Sequence, residues 1–346
     1  MNQKIIVLIL FLSLISTSYS QTISGTVHDT RKGQPLVGAT VYINGSSIGT
    51  ITNEEGHFFI KANKKINGSL VRSYVGYTSV VSENPDANKA IEIILQPDLD
   101  NLNEVFITTD SWSREKKIRE FKKQFLGDTK AGKSCFILNE DDIYLNYDEQ
   151  NKTLLANSDT PIIIRNNLLG YTITYDLQAF EAKYDQPKKK HPLCKSVYYD
   201  GSSFYKNLSE NDVSLNRFIK NRQKEYNGSF IHFMRVLVTG NLRKEGFKLF
   251  KGTRPITKDN VFTILQESDY YIIRMKQNFL LKYKDQKHSL VTKEKLEEPF
   301  IIHPYGAYVP PKSIRFSGHL AYDRVGNALP LDYTPPHFKE EETTNE

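Results

Sequence analysis

The chain has 346 residues and a formal charge of +6, with 46 basic residues set among 40 acidic ones. A charge this mild and this mixed lacks the concentrated stripe that nucleic acid requires, and the length suits two domains. Twenty Tyr and 19 Phe against one Trp favour β-rich structure with large cores.

Met1 to Ser20 has the layout of a signal peptide. Lys4 is the charged start, Ile5 to Ile15 the apolar run, and Ser18-Tyr19-Ser20 a small-x-small cleavage site before Gln21. No Cys follows that site, and no later run approaches the ~18 apolar residues that span a bilayer. The expectation is an exported chain in the periplasm or associated with the cell envelope.

From residue 21 to 97 short alternating runs are divided by turn formers. Val41 and Ile43 alternate with Thr40 and Tyr42, Phe58 and Ile60 flank Phe59, and Ile91, Ile93 and Leu95 alternate with Glu92 and Ile94. A period of two puts one set of side chains on a buried face, the mark of a strand. Gly33-Gln34-Pro35, Asn44-Gly45-Ser46, Asn53 to Gly56 and Asn67-Gly68 separate the runs. About seven short strands in roughly 75 residues predict a small antiparallel sandwich.

These residues resemble the carboxypeptidase regulatory-like domain, a transthyretin-type β-sandwich. The carriers are Ile23 to Val27, Pro35 to Val41, Gly49 to Phe58 and Val75-Gly76-Tyr77. In that family the domain is an accessory attached to zinc carboxypeptidases, to outer-membrane receptors of Bacteroidota and to other hosts, so the resemblance implies a fold and no peptidase activity. The zinc enzymes resemble one another in an H-x-x-E pair with a third His downstream. Here that pattern occurs as His337-Phe338-Lys339-Glu340, with no His after it. The receptors follow the domain with a short linker that Leu102 to Thr108 resembles, but a barrel of roughly 22 strands does not fit the residues that remain.

Residues 98–127 form a linker and a basic amphipathic helix. Ile118, Phe121, Phe125 and Leu126 share one face, while Arg114, Lys116, Lys117, Arg119, Lys122 and Lys123 crowd the other. Two fates follow. The apolar stripe packs onto the second domain, or residues 112–126 make peripheral membrane contact with Trp112 as an interfacial anchor. Gly127 to Ser134 then matches the Walker A pattern letter for letter. That pattern cradles phosphate only between an entering strand and a departing helix, and here a helix enters and the apolar run Cys135 to Leu138 leaves as a strand. Gly45-Ser46-Ser47-Ile48-Gly49 fits G-x-S-x-G but joins two strands of a sandwich, where the nucleophile elbow needs a strand and a helix.

Residues 128–337 predict an α+β domain rich in antiparallel strands. Ile143 to Tyr147 and Thr153 to Ala156 form a hairpin; Pro161 to Ile164 and Tyr171 to Tyr175 follow. Asp141-Asp142, adjacent and expected on opposite faces of a strand, make poor metal ligands, and Lys188 to His191 is a solvated loop. The middle is helical, with Leu215, Phe218, Ile219, Arg222 and Tyr226 on one face. Gly228 ends that helix and Ser229 caps the next, Phe230 to Val238, which is apolar almost all round. His232 and Arg235 are its polar exceptions. They are either a structural lock onto a nearby carboxylate or, with Tyr226, a ligand site. Strands return at Val261 to Leu265, Tyr270 to Met275, Phe279 to Tyr283, Phe300 to His303 and Ser313 to Ser317. Residues 338–346 are an acidic, disordered tail. Cys135 and Cys194 are an even pair, either a disulfide or free buried thiols.

This second half resembles the C-terminal region of Bacteroidota envelope proteins that carry the regulatory-like domain. Arg114 to Lys117, Phe125 to Gly127, Cys135 to Asn139, Leu169 to Tyr171, Tyr226 to Ser229 with His232 to Arg235, Glu245 to Phe247 and Leu329 to Tyr333 carry the likeness. The reading is therefore a multidomain exported protein, an all-β sandwich followed by an α+β domain. No cofactor or metal set is expected. The expected role is non-catalytic binding of an envelope protein, a glycan or a peptide; the alternative is a hydrolase using His232 as general base.

Overall fold

A computed structural model describes residues 21–31, 33–62, 68–83, 89–98, 110–185, 192–208 and 212–336. The expected signal peptide, the Leu102 to Thr108 linker, the Lys188 to His191 loop, the His337 to Glu340 pattern and the acidic tail lie outside these residues. The chain divides into two compact units, Met1–Ile43 with Ile48–Pro97, and Asn44–Ser47 with Asp98–Glu346.

The first unit holds strands β1 (Gln21–Asp29), β2 (Thr40–Ile43), β3 (Gly49–Ile51), β4 (His57–Ala62), β5 (Leu70–Ser73), β6 (Val80–Ser82) and β7 (Ile91–Leu95). They form two sheets, ordered β4-β1-β7 and β3-β2-β5-β6. The alternation read from the sequence decides their facing. Phe58, Ile60, Val41, Ile43, Ile93 and Leu95 enter a shared core with Ile23, Val27 and Leu70, whereas Phe59 and Ile94 point outward. One pairing departs from the antiparallel expectation, since β1 and β7 run parallel. The sequence pattern also gave no warning of Arg72. It follows Leu70 by two on β5, so it shares the core-facing side, and it is buried with its Nη2 donating to Ser82 Oγ at 2.7 Å. Its Nε finds no partner among the described residues, and burial lowers its pKa.

The second unit opens with helix α1 (Arg114–Phe125), capped by the Ser113 side chain accepting from the Lys116 amide. A four-residue turn of helix, α2 (Lys130–Lys133), precedes a six-stranded sheet. Its strands are β8 (Cys135–Ile137), β9 (Ile143–Asp148), β10 (Thr153–Ser158), β11 (Ile162–Asn166), β12 (Tyr171–Asp185) and β13 (Leu193–Asn207). β12 is the spine. β11 pairs with its first five residues and β10 with Glu181 to Lys183, while β13 pairs along its whole length with two bulges. The apolar stripe of α1 lies on this sheet, with Phe121 and Phe125 meeting Phe180 and Tyr175 edge to face. Each fully buried phenyl contributes about 1.5–3 kcal/mol.

Helices α3 (Asp212–Tyr226) and α4 (Phe230–Thr239) come next, followed by β14 (Phe247–Lys251), β15 (Arg254–Ile256) and a short helix α5 (Lys258–Val261). The remaining strands are β16 (Phe262–Gln266), β17 (Tyr271–Met275), β18 (Phe279–Tyr283), β19 (Lys287–Thr292), β20 (Phe300–Ile302), β21 (Tyr308–Val309) and β22 (Arg315–Gly318). Two antiparallel sheets result, β15-β14-β18-β19-β22 and β16-β17-β20-β21, and both turn one face to a second core. α4 belongs to both cores. Ile231 packs in the first, and Phe233, Met234, Val236 and Leu237 pack in the second. On α3 the buried stripe is Phe218, Arg222 and Tyr226, while Leu215 and Ile219 are exposed, which corrects the five-residue face expected from spacing. Within the stripe Arg222 donates its guanidinium to Leu169 O and Gly170 O at 2.7 and 3.0 Å.

Candidate functional site

The three binding residues named from sequence, Tyr226, His232 and Arg235, lie on either side of the reversal where α3 ends and α4 begins. Gly228 has a φ of +78°, and a Cβ there would come within 2.4 Å of Tyr283, so the tight reversal requires glycine. Ser229 caps α4 by accepting from the His232 amide. The reversal stacks Tyr226 against His232, ring centroids 4.7 Å apart, and sets the Arg235 guanidinium 5.6 Å from the Tyr226 ring. Tyr226, His232 and Arg235 are thus brought together.

Their polar atoms are largely committed. The Gly228 amide donates to His232 Nδ1 at 3.1 Å, and His232 Nε2 faces Glu245 Oε2 at 3.4 Å. With Nδ1 accepting, the neutral ring carries its proton on Nε2 and presents it to the carboxylate. Arg235 donates from Nε, Nη1 and Nη2 to the carbonyls of Tyr305, Tyr333 and Leu331 at 3.0, 2.9 and 2.8 Å. So the carboxylate lock expected for Arg235 falls instead to His232, and the arginine clasps three backbone carbonyls. Burial raises the Tyr226 hydroxyl pKa, and the nearby Arg235 partly offsets that rise.

A neighbouring group was not foreseen. The Phe230 amide, in the first turn of α4, donates to Asp323 Oδ2 at 3.3 Å. Desolvation raises the Asp323 carboxyl to about 7, opposed by that bond and by Lys287 and reinforced by Glu225. Lys287 Nζ donates to Asn227 O at 2.7 Å, and burial lowers its pKa. Glu225 accepts from Asn327 Nδ2 at 2.8 Å, and Asn327 Oδ1 accepts from Thr129 Oγ1 at 2.8 Å. Desolvation and Lys287 also lower the His319 pKa. Here burial shifts an acid and an amine both toward neutrality. No local motif marked Asp323 or Lys287, because they reach the α3–α4 reversal from β19 and from the turn after β22. Glu245 stands in a stretch that the family resemblance had marked.

The remaining sequence motifs resolve plainly. Around the Walker-like stretch the order is helix α1, the turn α2, then strand β8, and Lys133 pairs with Asp128 at 2.8 Å. Gly132 serves close packing, since a Cβ there would lie 2.2 Å from Gly127 O. Ser47 lies between β2 and β3, as the sandwich reading requires. Asp141 and Asp142 sit in a 3-10 turn, not on a strand, and Asp142 accepts from Asn139 and Thr160. Among the described residues no cluster of three or more His, Cys, Asp or Glu is placed to hold a metal.

Two alternatives left open by the sequence are resolved. Cys135 and Cys194 are both free. Through Asn166, Cys135 is level with Tyr171 on β12, whereas Cys194 is level with Tyr184. Those levels are thirteen residues apart along β12 (184 − 171), which sets the two thiols at opposite ends of the strand, beyond the ~7 Å between Cα atoms that a disulfide tolerates. Burial pushes the two thiols up to about 12 and about 11, away from nucleophilic reactivity. Nor is Trp112 a membrane anchor. It is 5% exposed and stacked on Tyr147 with centroids 4.1 Å apart, so the apolar side of residues 112–126 is spent inside the unit. No helix among the described residues is long and apolar enough to cross a membrane.

The strand order and core of the first unit define a two-sheet β-sandwich module. Residues 23–107 match the family described as the CarboxypepD_reg-like domain, and the first unit is such a domain. The TonB-dependent receptor SusC of Bacteroides thetaiotaomicron is 36% identical over 98 residues, which are 28% of this chain and 9% of that receptor. The TonB-dependent receptor P26 of Formosa agariphila is 39% identical over 92 residues, 27% of this chain and 9% of that receptor. The similarity therefore spans about a tenth of either relative's length.

Proposed function

We propose that this chain is an exported cell-envelope protein that binds a partner (a protein, a glycan or a peptide) and does not catalyse a reaction. The observation that carries the reading is the N-terminal CarboxypepD_reg-like domain, which resembles a segment of two TonB-dependent receptors. Attached to a second unit of different architecture, such a module fits recognition or assembly better than chemistry. The state of His232 points the same way. A general base needs a ring nitrogen facing a substrate, and here Nδ1 accepts a backbone amide while Nε2 faces Glu245. Exposed apolar side chains on the outward sheet faces of the second unit, Leu265 and Leu290 among them, are available to a partner.

The test is fractionation of cells that make the protein, followed by cross-linking of the native chain in place. Recovery with the envelope and attachment to one recurring envelope component is the expected result. Recovery in the cytoplasm overturns the address. Turnover of a hydrolysable substrate that disappears in His232→Ala or Asp323→Asn would replace binding with catalysis.

A further inference from the structure

The sheet β15-β14-β18-β19-β22 turns Phe247, Leu249, Phe279, Leu281 and Val291 into the second core. The pleat sends their neighbours the other way. Strand register then aligns the outward side chains into rows. Pro255, Phe250, Leu280 and Leu290 stand opposite one another across four strands. Lys248, Lys282 and His288 form the adjacent row. The apolar row is roughly 14 Å long at ~4.8 Å per strand, and the basic row lies ~7 Å to one side.

Nothing in the fold of this unit requires that arrangement, because an outward face normally carries mixed polar side chains. Leu290 is 45% exposed at one end of the row. Within the row, Lys282 holds its ammonium 4.6 Å from the centre of the Phe250 ring, so its stem lies along the apolar row and its charge sits at the border. Asp285 serves all three members of the basic row. It pairs with Lys248 at 2.7 Å, and Lys248, Lys282 and His288 all hold its carboxyl low. Two ammonium groups, on Lys248 and Lys282, set against one carboxylate leave that flank positive. On the other flank Arg315 is matched by Glu294 at 3.3 Å, with Thr292 opposite Arg315 and Ser317 closing the row at β22. The face is therefore apolar along a line, positive on one side and neutral on the other.

We propose that this face docks an acidic amphipathic segment of a partner protein, with its apolar side chains along Phe250, Leu280 and Leu290 and its carboxylates over Lys248, Lys282 and His288. The proposal rests on the partner-binding reading above and adds where the partner lies and what chemistry it presents. A line one residue deep matches the apolar stripe of a single helix or strand. A lipid leaflet instead rewards a broad apolar area with cations around it, which this face does not have.

The test places a photo-cross-linking residue at Leu290 in the full chain, in cells that make it, and a second probe at Leu265 on the other sheet, where the side chain is 56% exposed. The expected result is a discrete protein adduct at Leu290 whose linked peptide is apolar and net negative. The double variant Lys248→Glu, Lys282→Glu should lower its yield about tenfold or more, and Lys248→Arg, Lys282→Arg should retain it. Adduct yield in permeabilised cells should also fall as salt is raised, which tests the charge term without any variant and covers a charge-reversed chain that fails to fold. A lipid or glycan adduct, a linked peptide without net negative charge, or a yield unmoved by charge reversal and by salt overturns the proposal. Capture at Leu265 with none at Leu290 overturns this face alone and leaves the partner-binding reading intact. Silence at both positions counts against both.

Discussion

The amide of Gly228 donates to Nδ1 of His232 across 3.1 Å, so the reversal between α3 and α4 is closed by a side chain of the very helix it begins. Removing that acceptor leaves a buried amide unsatisfied and opens a cavity. His232→Ala should therefore cost about 2–4 kcal/mol in chemical denaturation. His232→Asn, whose side-chain oxygen can stand near the Nδ1 position, should recover a good part of the loss. Equal losses in the two variants would remove this bond from the account.

Arg235 joins α4 to Tyr305 and to the Leu331–Tyr333 segment through main-chain oxygens alone. Arg235→Ala should free the segment, with faster amide exchange at Leu331 and Tyr333 and a loss of about 2–4 kcal/mol. Arg235→Lys should rescue little, because one ammonium cannot span three separated carbonyls. Unchanged exchange in the alanine variant would show that the segment is held by its apolar contacts.

Asp323 gives a pH dependence of definite sign. Its folded carboxyl sits near 7 against an ordinary value of 3.8, so the folded protein keeps a proton that the unfolded chain has lost between those values. The group thus lowers stability progressively as pH rises from about 4 to about 7. Asp323→Asn keeps an oxygen for the Phe230 amide and removes the titration. The variant should match the parent near pH 4 and exceed it by about 4 kcal/mol above pH 7.5. A constant difference across that range would show an ordinary carboxyl.

Arg72 is a charge in the sandwich core whose partner among the described residues is Ser82. Arg72→Leu should raise the melting temperature of the first unit, by a gain of about 1–3 kcal/mol, since well-packed apolar groups commonly outperform buried charges. A loss on substitution would indicate that the guanidinium makes bonds worth more than its desolvation.

How far this structure could be read from its sequence depended on whether the signal was local. Phe58, Phe59 and Ile60 display their facing in three letters, and Gly228-Ser229 spells a helix stop and restart because both devices act within four residues. The Walker-like stretch was legible for the same reason, through the order of its neighbours. The lengths of β12 and β13 were not, because bulges at Gln178 and Lys195 break the alternation that a reader follows. Leu215 and Ile219 kept helical spacing yet face solvent, since spacing marks a face without saying what covers it. Tyr226, His232 and Arg235 were found as a group because two adjoining helices carry them. Glu245, Asp323 and Lys287 complete the site from up to 98 residues beyond Glu225 in number, a distance over which residue types alone carry no pairing information.

Because α4 lends Ile231 to one hydrophobic core and Phe233, Met234, Val236 and Leu237 to the other, neither can be dismantled while the helix stays seated. Three sheets that might have melted in sequence are thereby tied to one event. In a calorimeter the second unit should give a single cooperative peak, its enthalpy the same whether measured directly or inferred from the sharpness of the transition. Damage to that helix would be felt across all three sheets together.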